Sequence, residues 1–128
     1  MGELSQTFIS VVDNDELVRR ALKRLLVSLG FTAEVFSSAQ DFLNSAHLHG
    51  TGCLILDVTM SGMSGLQLQS HLATAGYRIP IIFHTAHLNN QVKARALQDG
   101  AVAFLQKPAK EQDLLAAIRS ALKVCDHD

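Results

Sequence analysis

Four residues with reactive or charged side chains each follow a short apolar run: the acids Asp13 and Asp57, the hydroxyl of Thr85 and the amine of Lys107. Together they could accept and bind a phosphoryl group, because a carboxylate such as Asp57 can attack phosphorus to give an acyl phosphate. Asp13 would hold a hard cation such as Mg²⁺, which binds through one or two carboxylates and keeps several waters. Lys107 would contact one phosphoryl oxygen as a point charge, and Thr85 would donate a hydrogen bond to another.

The apolar runs alternate with stretches of helical periodicity. The runs predict five strands, at Phe8–Val12, Thr32–Phe36, Cys53–Leu56, Ile79–Phe83 and Val102–Leu105. Apolar residues at three- and four-residue spacing predict five helices, at Leu17–Leu29, from Ser37 or Ser38 through Leu43, from Gly65 to about Ala75, at Val92–Gln98 and at Glu111–Lys123. Gly30 and Gly100 end two of these patterns.

Strands that alternate with helices predict a doubly wound parallel sheet with helices on both faces. In such sheets ligands bind beyond the carboxyl ends of the strands, which is where the four residues fall. Each residue alone is ordinary, since an Asp after a strand is usually a turn residue or a helix cap. Their joint occurrence, in the right order, favours a functional site.

The composition is that of one α/β domain. The chain has 128 residues, is 48% hydrophobic and carries a formal net charge of −1. We expect a single domain over residues 1–128, with its core at about 7–123 and no second, output domain in this chain. The charge argues against nucleic-acid binding by bulk electrostatics, and no apolar run is long enough to span a membrane. Cys53 and Cys125 fit reduced thiols in a cytoplasmic protein.

The motifs at the strand ends are V-V-D-N-D, L-I-L-D-V-T-M-S-G-M-S-G, I-I-F-H-T-A and F-L-Q-K-P. With these motifs the chain resembles, over nearly its full length, the receiver domain of response regulators in two-component signalling. That domain belongs to the CheY-like superfamily, and this chain is most similar to receivers of the FixJ and NarL class. The resemblance implies a five-stranded sheet in the order 2-1-3-4-5 with five helices.

The resemblance also implies roles for individual residues. Asp57 would accept a phosphoryl group from a sensor histidine kinase, and Lys107 and Thr85 would sense it. The metal ligands would be Asp13, Asp57 and the backbone carbonyl of Thr59, and a fourth ligand from the side-chain oxygen of Asn14 stays open. Phe104 falls where the family places an aromatic residue that moves with the threonine on activation.

Two further positions of the family tune how fast the phosphoryl group is hydrolysed. Here they hold Thr59 and His87, and a role for His87 as an ordinary loop residue stays open. The chain would then be a phosphoacceptor with at most slow self-dephosphorylation, and not an enzyme.

Three positions depart from the family pattern. Asn14 replaces a second acid that is usually a direct metal ligand, so weak Mg²⁺ binding is expected, and Asp15 is better placed to cap the following helix. Ser61 replaces the proline of a Met-Pro pair, and His84 replaces an apolar residue before the Thr-Ala pair. We expect His84 to be a strand-end histidine that is hydrogen-bonded to its neighbours.

These features leave three functions open. The first is a switch in which phosphorylation alters the surface of the fourth helix and fifth strand, for dimerisation or partner binding. The second is a pseudo-receiver that acts as a constitutive interaction module because Asn14 weakens the metal site. The third is a phosphohydrolase or flavin carrier, against which Thr59 and the acidic D-N-D-E segment argue. A longer parent protein could carry a DNA-binding output domain.

Overall fold

The computed structural model describes residues 8–126, and five strands alternate with five helices along them. The strands are β1 (Phe8–Val12), β2 (Thr32–Phe36), β3 (Cys53–Leu56), β4 (Ile81–Thr85) and β5 (Ala103–Gln106). The helices are α1 (Glu16–Ser28), α2 (Ala39–Leu43), α3 (Gly65–Thr74), α4 (Asn90–Gln98) and α5 (Glu111–Asp126). The predicted core boundary at residue 7 and the side chain of Cys125 lie outside what the structure describes.

All five strands are parallel and form one sheet in the order β2-β1-β3-β4-β5. The predicted doubly wound fold and strand order are therefore confirmed. In the register of the two central strands, Val12 lies opposite Leu56. The residues that follow them, Asp13 and Asp57, consequently leave the sheet side by side.

The fourth strand was predicted two residues too early, at Ile79–Phe83, whereas it runs from Ile81 to Thr85. Pro80 causes the difference. Its carbonyl accepts a hydrogen bond from the Leu54 amide at 2.9 Å, but it has no N–H to donate, so ladder pairing begins at Ile81. The fifth strand is likewise shifted by one residue. Thr85 is thus the last residue of a buried strand and does not lie in the loop after it.

Helices cover both faces of the sheet and bury two separate apolar clusters. One cluster lies against α1 and α5 and includes Leu22, Leu26 and Ile118. The other lies against α2, α3 and α4 and includes Phe42 and Leu68. β3 is buried along its whole length, as its continuous apolar run predicts. Both faces therefore hold the strand ends at fixed positions.

The ends of α1 follow from its sequence. Asp15 caps the helix, and its side chain accepts hydrogen bonds from the Leu17 and Val18 amides. Gly30, with φ at +97°, takes the left-handed conformation just beyond the last turn. Among the helices that the structure describes, none is long and apolar enough to cross a membrane.

Candidate functional site

Asp13 and Asp57 form the base of the candidate site, at the carboxyl ends of the adjacent strands β1 and β3. Both are buried, with 1% and 6% of their surface exposed. Each carboxylate has one oxygen fixed by its own loop: Asp13 Oδ1 accepts from the Asp15 amide at 2.9 Å, and Asp57 Oδ1 accepts from the Thr59 amide at 3.3 Å. These bonds leave the Oδ2 atoms to face a common partner.

That partner is Lys107, which follows β5. Its Nζ lies 2.8 Å from Asp13 Oδ2 and 3.1 Å from Asp57 Oδ2. Burial acts to lower the pKa of Lys107, but the hydrogen bonds and negative charges of the two aspartates outweigh it, so this pKa lies above its ordinary value. The predicted convergence of the two acids and the amine is present, with the ammonium bridging both carboxylates.

Two residues that support these carboxylates were not singled out in the sequence. Arg19 is one of four basic residues in α1, but it is half-buried and its Nη1 donates to the Asp13 carbonyl oxygen at 2.8 Å. Gly65 lies so close to the end of β3 that a Cβ there would collide with the Asp57 carbonyl oxygen. The glycine-rich segment after Asp57 was a signal for the second contact, whereas nothing in the spacing of Arg19 distinguishes it from its basic neighbours.

Thr85 lies at the end of β4 with 1% of its surface exposed. Its hydroxyl oxygen accepts a hydrogen bond from the His87 amide at 3.5 Å, at the long limit for such a bond. Phe104 is buried in β5, and its ring centroid lies 5.8 Å from that of Phe83. His87 and Thr59 are exposed.

His84 is buried in β4 with 5% of its surface exposed. Its Nε2 accepts from the Ala109 amide at 3.4 Å, so the predicted hydrogen bond to a neighbour is present, although the residue lies within the strand. Burial lowers the pKa of His84, and the charge of Lys107 lowers it further, against the opposing charges of Asp13 and Asp57. Among the buried side-chain atoms of residues 8–123, His84 Nδ1 has no hydrogen-bond partner.

The donor set fits a magnesium ion. Two carboxylate oxygens already converge on one cationic group, the Lys107 ammonium, and Mg²⁺ requires only one or two carboxylates besides water. Asn14, at the position of the missing acid, is exposed and neutral. No group of three or more His, Cys, Asp or Glu side chains in the described part of the chain has metal-binding geometry, so any site here has at most two carboxylates.

Comparison with known proteins identifies the family. Residues 9–119 match the response regulator receiver domain. The chain therefore belongs to the receiver-domain family of the response regulators of two-component systems.

Three similar proteins illustrate the relationship. The response regulator protein TmoT of Ectopseudomonas mendocina is 46% identical over 119 residues, which cover 93% of this chain and 54% of TmoT. The response regulator StyR has a solved structure that is 44% identical, with a TM-score of 0.85 over 92% of this chain and 60% of that one. The crystal structure of FixJ-N is 32% identical, with a TM-score of 0.82 over 91% of this chain and 94% of that one.

The FixJ-N match agrees with the resemblance to the FixJ class. This chain spans about half the length of the curated relatives it matches.

Proposed function

We propose that this receiver domain is an active switch whose phosphoacceptor is Asp57. The observation that carries the proposal is the contact of Lys107 Nζ with both carboxylates. Asp57 Oδ2 lies at the carboxyl end of a buried strand, 3.1 Å from the Lys107 ammonium. A phosphoryl group transferred to this oxygen would break its bond to the donor, a histidine nitrogen of a sensor kinase or the acyl oxygen of acetyl phosphate.

A magnesium ion held by Asp13, Asp57 and the Thr59 carbonyl would offset the negative charge of the incoming phosphoryl group. The chain's own residues supply the rest. Asp13 and Asp57 keep fixed orientations because each accepts a backbone amide through Oδ1. Lys107 exchanges its contact with Asp57 for one with a phosphoryl oxygen, which keeps the ammonium paired throughout.

Thr85 would transmit phosphorylation of the site to the rest of the domain as a conformational change. Among residues 8–126 its hydroxyl makes one hydrogen bond, the long one from the His87 amide, so it can turn to donate to a phosphoryl oxygen at low cost. Movement of Thr85 would reposition the β4–α4 loop and the ring of Phe104 in the neighbouring strand. Leu88 in that loop and Leu97 on α4 are 50% and 40% exposed, which gives this face apolar surface for a second copy or an output partner.

The partners follow from the same proposal. A sensor histidine kinase would supply the phosphoryl group, and phosphorylation would favour a homodimer or a contact with an output domain. Because the curated relatives are about twice as long as this chain, a DNA-binding output domain in a longer parent protein is part of the proposal.

The test is phosphorylation by acetyl phosphate with Mg²⁺, followed by intact-mass spectrometry. We expect one phosphoryl group on the wild type and none on Asp57→Asn. The matched control is Asp113→Asn, which removes an exposed acid in the first turn of α5 and should be labelled like the wild type. Labelling that persists in Asp57→Asn would place the acceptor elsewhere.

A pseudo-receiver is the second candidate, and one observation favours it: the neutral Asn14 at the metal loop. It predicts no labelling of the wild type at any Mg²⁺ concentration, together with partner binding that acetyl phosphate does not change. Labelling of the wild type by acetyl phosphate over a series of Mg²⁺ concentrations therefore separates the two functions.

A further inference from the structure

The loop that joins β1 to α1 is fixed by several hydrogen bonds around Asp13. The Asp13 amide donates to the Phe36 carbonyl oxygen of β2 at 3.1 Å. The Asp13 carboxylate accepts from the Asp15 amide at 2.9 Å, and the Asp15 side chain caps α1. None of these contacts involves the peptide group that joins Asp13 to Asn14, the two residues of this loop that the proposed function places at the metal.

Arg19 of α1 makes the contact with that peptide group. Its Nη1 donates to the Asp13 carbonyl oxygen at 2.8 Å, and its amide donates to the Asp15 carbonyl oxygen at 3.0 Å. A hydrogen bond from a charged guanidinium is about twice as strong as one between neutral groups. Because the peptide group is planar and rigid, this bond fixes the backbone on both sides of it. It therefore orients the Asp13 and Asn14 side chains together.

The charge of Arg19 has the opposite effect on a metal ion. A guanidinium near the site repels a divalent cation, so charge alone predicts that Arg19 weakens metal binding. Within the described residues, the ion pairs of Asp13 and Asp57 are those with Lys107, so Arg19 does not form an ion pair with either carboxylate. Geometry and charge therefore predict effects of opposite sign when Arg19 is replaced.

We propose that Arg19 is a positioning residue for the metal site, an inference that rests on the proposed function. It acts through the backbone, by holding the peptide between Asp13 and Asn14 in the orientation that the structure shows. Residues that orient metal ligands by hydrogen bonds typically change metal affinity about 10- to 100-fold. Since Arg19 binds the backbone of Asp13 and not its carboxylate, we expect a smaller effect, roughly three- to tenfold.

The first test compares Mg²⁺ affinity in Arg19→Met and Arg20→Met. Arg19→Met keeps the apolar part of the side chain and removes the donor and the charge. Arg20→Met removes the same charge from the neighbouring, exposed residue and is the matched control. Mg²⁺ titrations at one ionic strength, followed by amide shifts in nitrogen–proton NMR spectra, give the affinities.

We expect Arg19→Met to bind Mg²⁺ roughly three- to tenfold more weakly than the wild type. Arg20→Met should bind Mg²⁺ as tightly as the wild type or up to about twofold more tightly, because salt screens exposed charges. If the affinity of Arg19→Met followed that of Arg20→Met, in either direction, charge would account for the effect and the proposal would be overturned.

Arg19→Lys separates the hydrogen bond from the charge. Lysine keeps a charged donor on a flexible side chain, so this variant should recover part of the Mg²⁺ affinity that Arg19→Met loses. Charge repulsion alone predicts the reverse order, with Arg19→Met binding more tightly than Arg19→Lys. That order would contradict the assigned role of the hydrogen bond.

Amide hydrogen exchange in the metal-free protein measures the loop itself. The Asp15 amide donates to Asp13 Oδ1, so its exchange should be at least about threefold faster in Arg19→Met than in the wild type. The amide of Leu26, a buried residue of the same helix, should keep its rate. Unchanged exchange at Asp15 would show that other contacts suffice to fix the loop, and it would overturn the proposal.

The two experiments also distinguish this inference from the proposed function. A wild type that binds no Mg²⁺ would refute the proposed metal site, and the role of Arg19 with it. A wild type that binds Mg²⁺, with the same affinity in Arg19→Met, would refute the role of Arg19 alone.

Discussion

Two neighbouring regions differ in how completely their polar atoms are hydrogen-bonded. One is the charged centre, formed by Asp13, Asp57 and Lys107, and the other is the carboxyl end of β4. In the charged centre, both ion pairs are 3.1 Å or shorter, and both Oδ1 atoms also accept backbone amides, at 2.9 and 3.3 Å. At the end of β4, the hydrogen bonds of Thr85 and His84 are 3.5 and 3.4 Å long, and His84 Nδ1 has no partner within the part of the chain that the structure describes.

This difference has a mechanical meaning. A group that must present a nucleophile needs one fixed arrangement, which short, mutually supporting bonds provide. An element that must change position needs a resting conformation that takes little free energy to leave, and long or missing hydrogen bonds lower that free energy. We therefore expect perturbations of the charged centre to be costly for stability and chemistry, whereas perturbations of the end of β4 should act on switching and on pH dependence.

The largest effect is expected from Lys107→Met. Loss of the ammonium leaves two buried carboxylates facing each other, which should lower the free energy of unfolding by roughly 3 kcal/mol, near the low end for buried pairs because Lys107 is 14% exposed. Chemical denaturation in a chelating buffer is the measurement, and Lys110→Met, at an exposed lysine, is the control.

Added Mg²⁺ should return part of the stability of Lys107→Met, since a cation would again lie between the carboxylates. Asp57→Asn should cost far less than Lys107→Met, because the pair between Asp13 and Lys107 survives. If the two variants proved equally unstable, the Lys107 ammonium would not be the group that stabilises both carboxylates of the charged centre.

Asn14→Asp should have the next largest effect. A second charge at the metal loop should tighten Mg²⁺ binding by about 1–3 kcal/mol after desolvation, or roughly 5- to 150-fold. Phosphorylation at submillimolar metal should also be faster in Asn14→Asp, with the difference shrinking as the metal saturates. Calorimetric Mg²⁺ titration of both proteins is the measurement. Asp15 caps α1, so equal affinities would mean that water replaces the missing ligand.

Thr85→Ala tests the end of β4 directly. We expect labelling within about twofold of the wild type, because the hydrogen bonds of the two carboxylates within the described residues do not include Thr85. The phosphorylation-dependent amide shifts in α4 and β5 should be largely lost, and Thr85→Ser, which keeps the hydroxyl, should retain them. Lys107→Ala should instead lose both labelling and shifts. Equal loss of labelling in Thr85→Ala and Lys107→Ala would remove the distinction between the two regions.

The charged centre was predictable because it depends on the order of the acids, the amine and the apolar runs along the sequence. Acids and an amine after apolar runs, in a parallel sheet, must meet at one edge, and the strand order follows from the family pattern. The boundaries of β4 were missed because an apolar run alone does not show where ladder pairing begins, which Pro80 determines through its missing N–H. Arg19 was missed because its contact is to a backbone carbonyl, which has no signature in side-chain spacing.

The smallest effect concerns the protonation of His84. Burial and the charge of Lys107 hold its folded-state pKa below the ordinary 6.5, so the unfolded chain binds a proton more readily than the folded protein. The resulting contribution to stability is complete above about pH 6.5 and is lost as the pH falls toward and through the folded pKa. A protonated ring also has no acceptor for the Ala109 amide, which removes the bond that ties this loop to β4.

We therefore expect the free energy of unfolding of the wild type to decline more steeply below pH 6.5 than that of His84→Leu, whose apolar side chain suits the same buried position. His87→Leu, a change at the exposed histidine three residues away, should keep the steeper decline. Proton NMR titration of the imidazole signals gives a direct check, since His84 should titrate at lower pH than 6.5. Parallel stability curves for the wild type and His84→Leu would show that His84 is solvated in the folded protein, and the end of β4 would then be bonded by water as completely as the charged centre is by Lys107.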